Sequence, residues 1–182
     1  MPRILDDTTK KPLLGKFGAY QPKIASTAFI APTAIIIGNV TIGEDCVIWF
    51  NVIIRGGENE ISIGERTVIE DNCIIHGTAP IHIGNNVIIG HNSVIHSSTI
   101  EDNVLIGPNV CIYDGSHIKS GVMIGINTVI QPNTIIEPEI FVRGSPIAKK
   151  VKKVKVDLER NKRYIEKNIA LAKEFKKKFS ML

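Results

Sequence analysis

Isoleucine recurs every sixth residue along most of this chain. From Ile24 onward, positions 24, 30, 36, 42, 48 and 54, then 63, 69 and 75, then 83, 89 and 95, then 100, 106, 112, 118, 124, 130, 136 and 142 are isoleucine nineteen times and valine once. Neither a helical period of about 3.6 nor the two-residue alternation of one strand produces that beat. A unit so short, one strand plus a corner, buries nothing by itself. The pattern therefore predicts a solenoid whose units stack and share one thin core.

The other positions of the hexad agree. Counting isoleucine as position 1, position 5 is mostly small or β-branched, as at Ala34, Cys46, Val52, Cys73, Val104 and Val122, and such side chains can share a narrow interior with it. Position 4 is asparagine nine times, at Asn39, Asn51, Asn72, Asn86, Asn92, Asn103, Asn109, Asn127 and Asn133, with Asp45, Gly57, Gly115 and Gly121 in the same column. These residues tolerate a left-handed backbone, so position 4 is the expected corner. Position 2 is polar or glycine and should face outward. The hexad resembles that of the hexapeptide-repeat family, in which three hexads make one triangular coil of a left-handed parallel β-helix. The left hand is implied by the resemblance, since parallel crossovers are otherwise right-handed.

Three regions follow: an N-terminal arm over residues 1–21, an all-β solenoid over 22–147, and a C-terminal α-helix over 148–182. Gly144, Ser145 and Pro146 are the expected closing segment. Charge separates the last two regions. Residues 1–147 carry 9 Lys and Arg against 14 Asp and Glu, and residues 148–182 carry 13 against 4. The basic tail has an apolar stripe, Leu158, Ile165, Ile169, Ala172, Phe175 and Phe179, and no interleaved aromatic platform. It is expected to pack on the acidic solenoid and not to bind nucleic acid. With no apolar run of membrane-spanning length and no signal-peptide pattern, a soluble cytoplasmic protein without a membrane partner is expected. Cys46, Cys73 and Cys111 are too few and too scattered for a disulfide framework, and two of them take the inward position 5.

A stacked repeat permits a geometric reading, because equal hexad positions one coil apart lie above one another at a spacing of about 4.8 Å. Three irregularities enter the count: an insertion of three residues between Ile54 and Ile63, an insertion of two between Ile75 and Ile83, and a deletion of one between Ile95 and Ile100. Position 2 of one face then reads Arg55, His76, His96, Tyr113. Position 3 of the neighbouring face places Asp71 beneath His91. His76 and His96 converge at a distance suited to sharing a metal ion, while His91 projects elsewhere. If identical chains associate around a threefold axis, His91 of one can complete the pair on the next. Three histidines and an open position are the arrangement of catalytic zinc.

Trp49-Phe50-Asn51 with Ile54-Arg55-Gly56, Ile69-Glu70-Asp71 with Ile75-His76, and Gly90-His91 with Ile95-His96 resemble the γ-class carbonic anhydrases. The resemblance implies a homotrimer with one metal per subunit interface, zinc or alternatively iron or cobalt, held by His76, His91 and His96. It implies reversible hydration of CO2 to bicarbonate by a hydroxide that forms because bound metal lowers the pKa of water to about 7. Arg55 and Asp71 match family residues near the metal. Two departures stand out. Gly57 replaces the family's aspartate, leaving Glu58 in the inserted loop as its candidate substitute. Glu70 replaces a common glutamine and is a candidate proton acceptor, and Tyr113 caps the histidine column.

Two other readings start from the same solenoid. Hexapeptide-repeat acyltransferases use acyl-CoA and a histidine base, and the segment Gly144-Ser145-Pro146 with Ala148-Lys149 is similar to their closing segment. His117 is the candidate base there, although the long acceptor-binding loop is absent. A catalytically silent relative that keeps the metal is the other. His82 is expected to be a surface residue.

Overall fold

In the computed structural model, residues 11–145, 147, 152–153 and 157–178 are described. Pro146, Ala148, Lys149, Phe179 and the first ten residues of the arm lie outside them.

The solenoid is a parallel β-helix. Its strands form one 12-stranded and one 8-stranded sheet, and strands distant in sequence are neighbours throughout. The larger sheet wraps a corner and supplies two faces of the prism, because Ile35–Ile42 and Ile53–Ile63 run continuously around it. The smaller sheet is the third face. Leu13–Gly15, within the arm, adds a parallel strand against Ile35–Ile37.

Position 1 fills the interior. Ile36, Ile54, Ile75, Ile95, Ile112 and Ile130 are completely buried, and position 5 residues such as Cys46, Val52, Cys73 and Val104 lie beside them. Backbone N–H groups of each coil donate to carbonyls of the next, as from Val94 to Val110 at 2.8 Å and from His96 to Ile112 at 2.9 Å. The backbone's polar groups are thus satisfied between coils while the side chains close the core.

The corners follow the asparagine column with informative exceptions. Asp45, Asn51, Asn72, Asn86, Asn92, Asn103, Asn109, Asn127 and Asn133 all have positive φ. Asn39 does not. The strand crosses that corner unbroken, its register slips, and Gly38 takes the left-handed conformation at φ 83 opposite Gly57. Arg66 and Glu139 also turn corners at positive φ, which their residue types do not advertise. The insertion containing Glu58 is likewise no loop. It is absorbed into the strand Ile53–Ile63, whose backbone stays paired on both sides of the register shift.

Helix α1 spans Leu158–Lys178 and lies on the smaller sheet. Its inward stripe contains the expected Ile165, Ile169, Ala172 and Phe175, joined by the polar Asn161 and Asn168, while Leu158 is 45% exposed. The inward asparagine has a cause in Trp49, whose indole N–H donates to Asn168 Oδ1 at 2.9 Å. A tryptophan buried under a helix needs an acceptor, and a purely apolar stripe would deny it one. Among the described residues, no helix is long and apolar enough to cross a membrane.

Ile106→Ala removes a fully buried side chain from the interior of the solenoid. The expected loss is about 2–5 kcal/mol, read as a lower urea midpoint by circular dichroism.

Candidate functional site

Because the coils stack in register, the outward column of position 2 is set by backbone pairing alone. Arg55 pairs with His76, and the rungs carrying Ile75, Ile95 and Ile112 are aligned, so Arg55, His76, His96 and Tyr113 form one line. The two imidazoles meet edge to face, with centroids 5.5 Å apart and planes at 88°.

Each of these rings is oriented by an acceptor. His76 Nδ1 lies 3.1 Å from the Arg55 carbonyl oxygen, which can only accept, so Nδ1 carries the proton and Nε2 the lone pair. His96 Nδ1–H donates in the same way to Asp114 Oδ1. That bond holds the Asp114 carboxyl below its ordinary value, with a further contribution from Ser97. Carboxylate or carbonyl on Nδ1 and a bare Nε2 is how metal-binding histidines are commonly prepared. The pair therefore fits a divalent cation. Among the described residues, no group of three or more His, Cys, Asp or Glu within the chain is arranged to hold an ion.

His91 is held at the corner between the helix-covered face and the histidine face. Asp71 Oδ2 lies 3.1 Å from its Nδ1, and Glu70 Oε2 lies 3.0 Å from its Nε2. The vertical pairing of Asp71 with His91 is present, and Asp71 Oδ1 also accepts the Phe50 N–H at 3.2 Å. Glu70 is buried, and its Oε1 accepts the Tyr164 hydroxyl from α1. Burial first, and then this carboxylate, push the Tyr164 phenol up to about 12. A carboxylate oxygen thus lies close to each ring nitrogen of His91. Its Nε2 must part from Glu70 before it can act as a ligand.

The remaining candidates are less engaged. Arg55 is exposed, and its guanidinium has no partner among the described residues. Glu58 is exposed too, and only its backbone carbonyl is used, by Asn39 Nδ2 at 3.2 Å. Tyr113 tops the column at 42% exposure, and its neighbour Asp114 makes the contact with His96 instead. His82 shares a bond with Ser62 Oγ at 2.8 Å. His117 Nε2 is bound to Glu101 Oε1 at 2.6 Å, and Glu101 also accepts from the Ser120 backbone and hydroxyl. Burial pushes the Cys46 thiol up to about 11 and Cys73 up to about 12, which removes both as nucleophiles at neutral pH.

Two participants escaped the sequence reading. Asp114 sits one place past the column, so the hexad count alone does not aim it at His96. Tyr164 lies in the tail, where only the docking of α1 brings it to Glu70, 94 residues away in sequence.

Comparison with known proteins supports the architecture and divides the chemistry. Residues 21–56 and 80–114 match the family "Bacterial transferase hexapeptide (six repeats)". A carbonic anhydrase of Geobacillus kaustophilus is 51% identical over 55 residues, 30% of this chain and 30% of that protein. Gamma carbonic anhydrase 2, mitochondrial, of Arabidopsis thaliana is 38% identical over 74 residues, 36% of this chain and 27% of that one. The matched stretch thus spans about a third or less of these curated relatives. A crystal structure of a candidate acetyltransferase from Bacillus cereus superposes with TM-score 0.83 at 31% identity, covering 91% of this chain and 98% of the other.

An absorbance titration should find one tyrosine ionising near 12, absent in Tyr164→Phe. A phenol whose pKa is raised on folding stabilises the docked helix fully below its ordinary value of 10.0, and that contribution is lost as pH rises through about 12.

Proposed function

The chain belongs to the hexapeptide-repeat family of left-handed β-helix proteins, and from that premise we propose that it is a γ-class carbonic anhydrase-like metalloprotein. Its reaction is the reversible hydration of CO2 to bicarbonate at a site shared between subunits of a homotrimer. The observation that carries this reading is the His76–His96 pair, stacked in register with both Nδ1 protons committed and, among the described residues, no partner on either Nε2.

One chain supplies two converging nitrogens and His91 at a separate corner, so a neighbouring copy is the natural source of the third. The histidine face is suited to such a contact. Ile53, Ile74, Val94, Cys111 and Val129 stack outward beside the column, and Ile74 is 41% exposed. An apolar ladder flanking polar ligands is the composition of a subunit interface.

A metal ion bound there, zinc or alternatively iron or cobalt, would lower the pKa of a coordinated water to about 7. The chain's own residues do the rest. Asp71 and the Phe50 amide fix the His91 ring so that Nε2 is the ligating nitrogen. Glu70 Oε2 occupies that nitrogen beforehand, and once displaced it is an open acceptor for the proton that CO2 hydration releases. Arg55 offers an unpaired cation at the foot of the column to attract the bicarbonate anion. Gly57 leaves out the acid that resemblance would place beside it, and Glu58, exposed on the strand Ile53–Ile63, is its candidate substitute.

An acyltransferase is the second reading, favoured by the near full-length likeness to the Bacillus cereus protein. His117 serves it poorly, because its Nε2 is already committed to Glu101. A silent metal-binding relative is distinguished from an enzyme only by turnover.

Metal content after purification should be about one ion per chain, and chelator competition should show Asp114→Ala binding it about 10–100-fold more weakly. His91→Ala should lose the metal and keep its far-ultraviolet spectrum, because the side chain lies outside the core; full occupancy in that variant removes His91 from the ligand set. Stopped-flow CO2 hydration by the metal-loaded protein tests the reaction itself. A metal-free protein that binds CoA points to the acyltransferase.

A further inference from the structure

The groove between α1 and the β-helix is a built cavity. Position 2 along the covered face runs Trp49, Glu70, Gly90, Gly107 in successive coils. Helix α1 docks on the bulky end, against Phe29, Val47 and Trp49, and where the column falls to glycine the coils approach so closely that a Cβ at Gly90 would lie 2.6 Å from Pro108 N. A cavity of about 460 Å³ remains under the helix, with His91 at its edge.

Its helical wall is cationic. Arg160, Arg163 and Lys167 all line it, and steps of three and four residues put them on one face. None makes an ion pair among the described residues, although two of the helix's three carboxylates find cations elsewhere: Glu166 lies 3.7 Å from Arg66 and Glu174 lies 3.5 Å from Lys178. Asn161 belongs to the same wall, is 6% exposed, and its Nδ2 has no acceptor among the described residues. A buried amide donor left without an acceptor is costly unless something else supplies one. The one carboxylate in the lining, Glu70, has its oxygens taken by Tyr164 and His91. Ile88, Leu105 and Pro108 make the remaining floor apolar.

We propose that this cavity binds small planar oxyanions of the form X–CO2⁻, with the charge held by Arg160, Arg163 and Lys167 and the group X lying on the apolar floor. A guanidinium fork matches the two oxygens of such a group. Two sources share that chemistry. Bicarbonate would reach the cavity past His91, and this source rests on the function proposed above. An organic carboxylate with an apolar body fits the site without it.

The test uses the full-length chain treated with chelator, so that no metal contributes, at constant ionic strength in chloride. Binding of [13C]bicarbonate and of benzoate is followed by NMR line broadening and saturation transfer. Arg160→Ala/Arg163→Ala should weaken binding by at least about tenfold through loss of charge-assisted hydrogen bonds, and Lys167→Glu should act in the same direction. Lys173→Ala, exposed and outside the cavity, should change nothing. Circular dichroism checks that each variant is folded. Benzoate binding that the variants abolish, without bicarbonate binding, assigns the site to organic carboxylates; the converse assigns it to bicarbonate. Failure of both probes to bind, or affinities in the double variant and Lys167→Glu equal to the parent's, overturns the proposal. If CO2 hydration is absent from the metal-loaded parent while variant-sensitive benzoate binding persists, the enzymatic reading fails and the oxyanion site stands.

Discussion

Everything outward-facing in this protein depends on the hydrogen-bonded spacing between coils, because it converts distance along the chain into height along a prism. Isoleucine at position 1 makes each coil dependent on its neighbours for a core, and the backbone ladder locks one coil over the next. Residues separated by 20 in sequence, such as His76 and His96, consequently stand one strand spacing apart. The insertions do not disturb this, since the chain takes up its extra residues at one corner and returns to register by Ile61 and Ile63.

On that scaffold, carboxylates prepare imidazoles. Asp114 and the Arg55 carbonyl leave His76 and His96 with open nitrogens, whereas Asp71 and Glu70 close both nitrogens of His91. The asymmetry is physical. Two rings wait with lone pairs exposed, and the third is parked against a buried acid that α1 holds in place through Tyr164. The state of the tail helix and the availability of His91 are therefore joined through Glu70, by the Tyr164 hydrogen bond on one side and the ion-pair contact with the imidazole on the other. The same helix encloses the cationic cavity, so its docking also shapes the space beside His91.

The fold was highly legible in the sequence. A six-residue beat constrains architecture far more than local propensity does, because it must hold in every coil at once. Its failures were local. Asn39 and the Glu58 insertion depart from the expected corner and loop because tolerance of a left-handed backbone, or an inserted stretch, does not by itself break a strand, and here Ile35–Ile42 and Ile53–Ile63 run on through both. The helix stripe holds at Ile165, Ile169, Ala172 and Phe175, but apolar counting cannot anticipate that Trp49 requires Asn168 to face inward.

The sequence by itself determined the prism, the histidine column and the pairing of Asp71 with His91, because all three follow from periodicity once the insertions and the deletion are counted. Only the tertiary structure decided which nitrogens of His76 and His96 face away from their acceptors, that Asp114 and Tyr164 join the site, and that a cavity remains under the helix. Those features depend on side-chain direction and on the docking of a segment outside the repeat. Neither has a period, so neither is written in the spacing of residues.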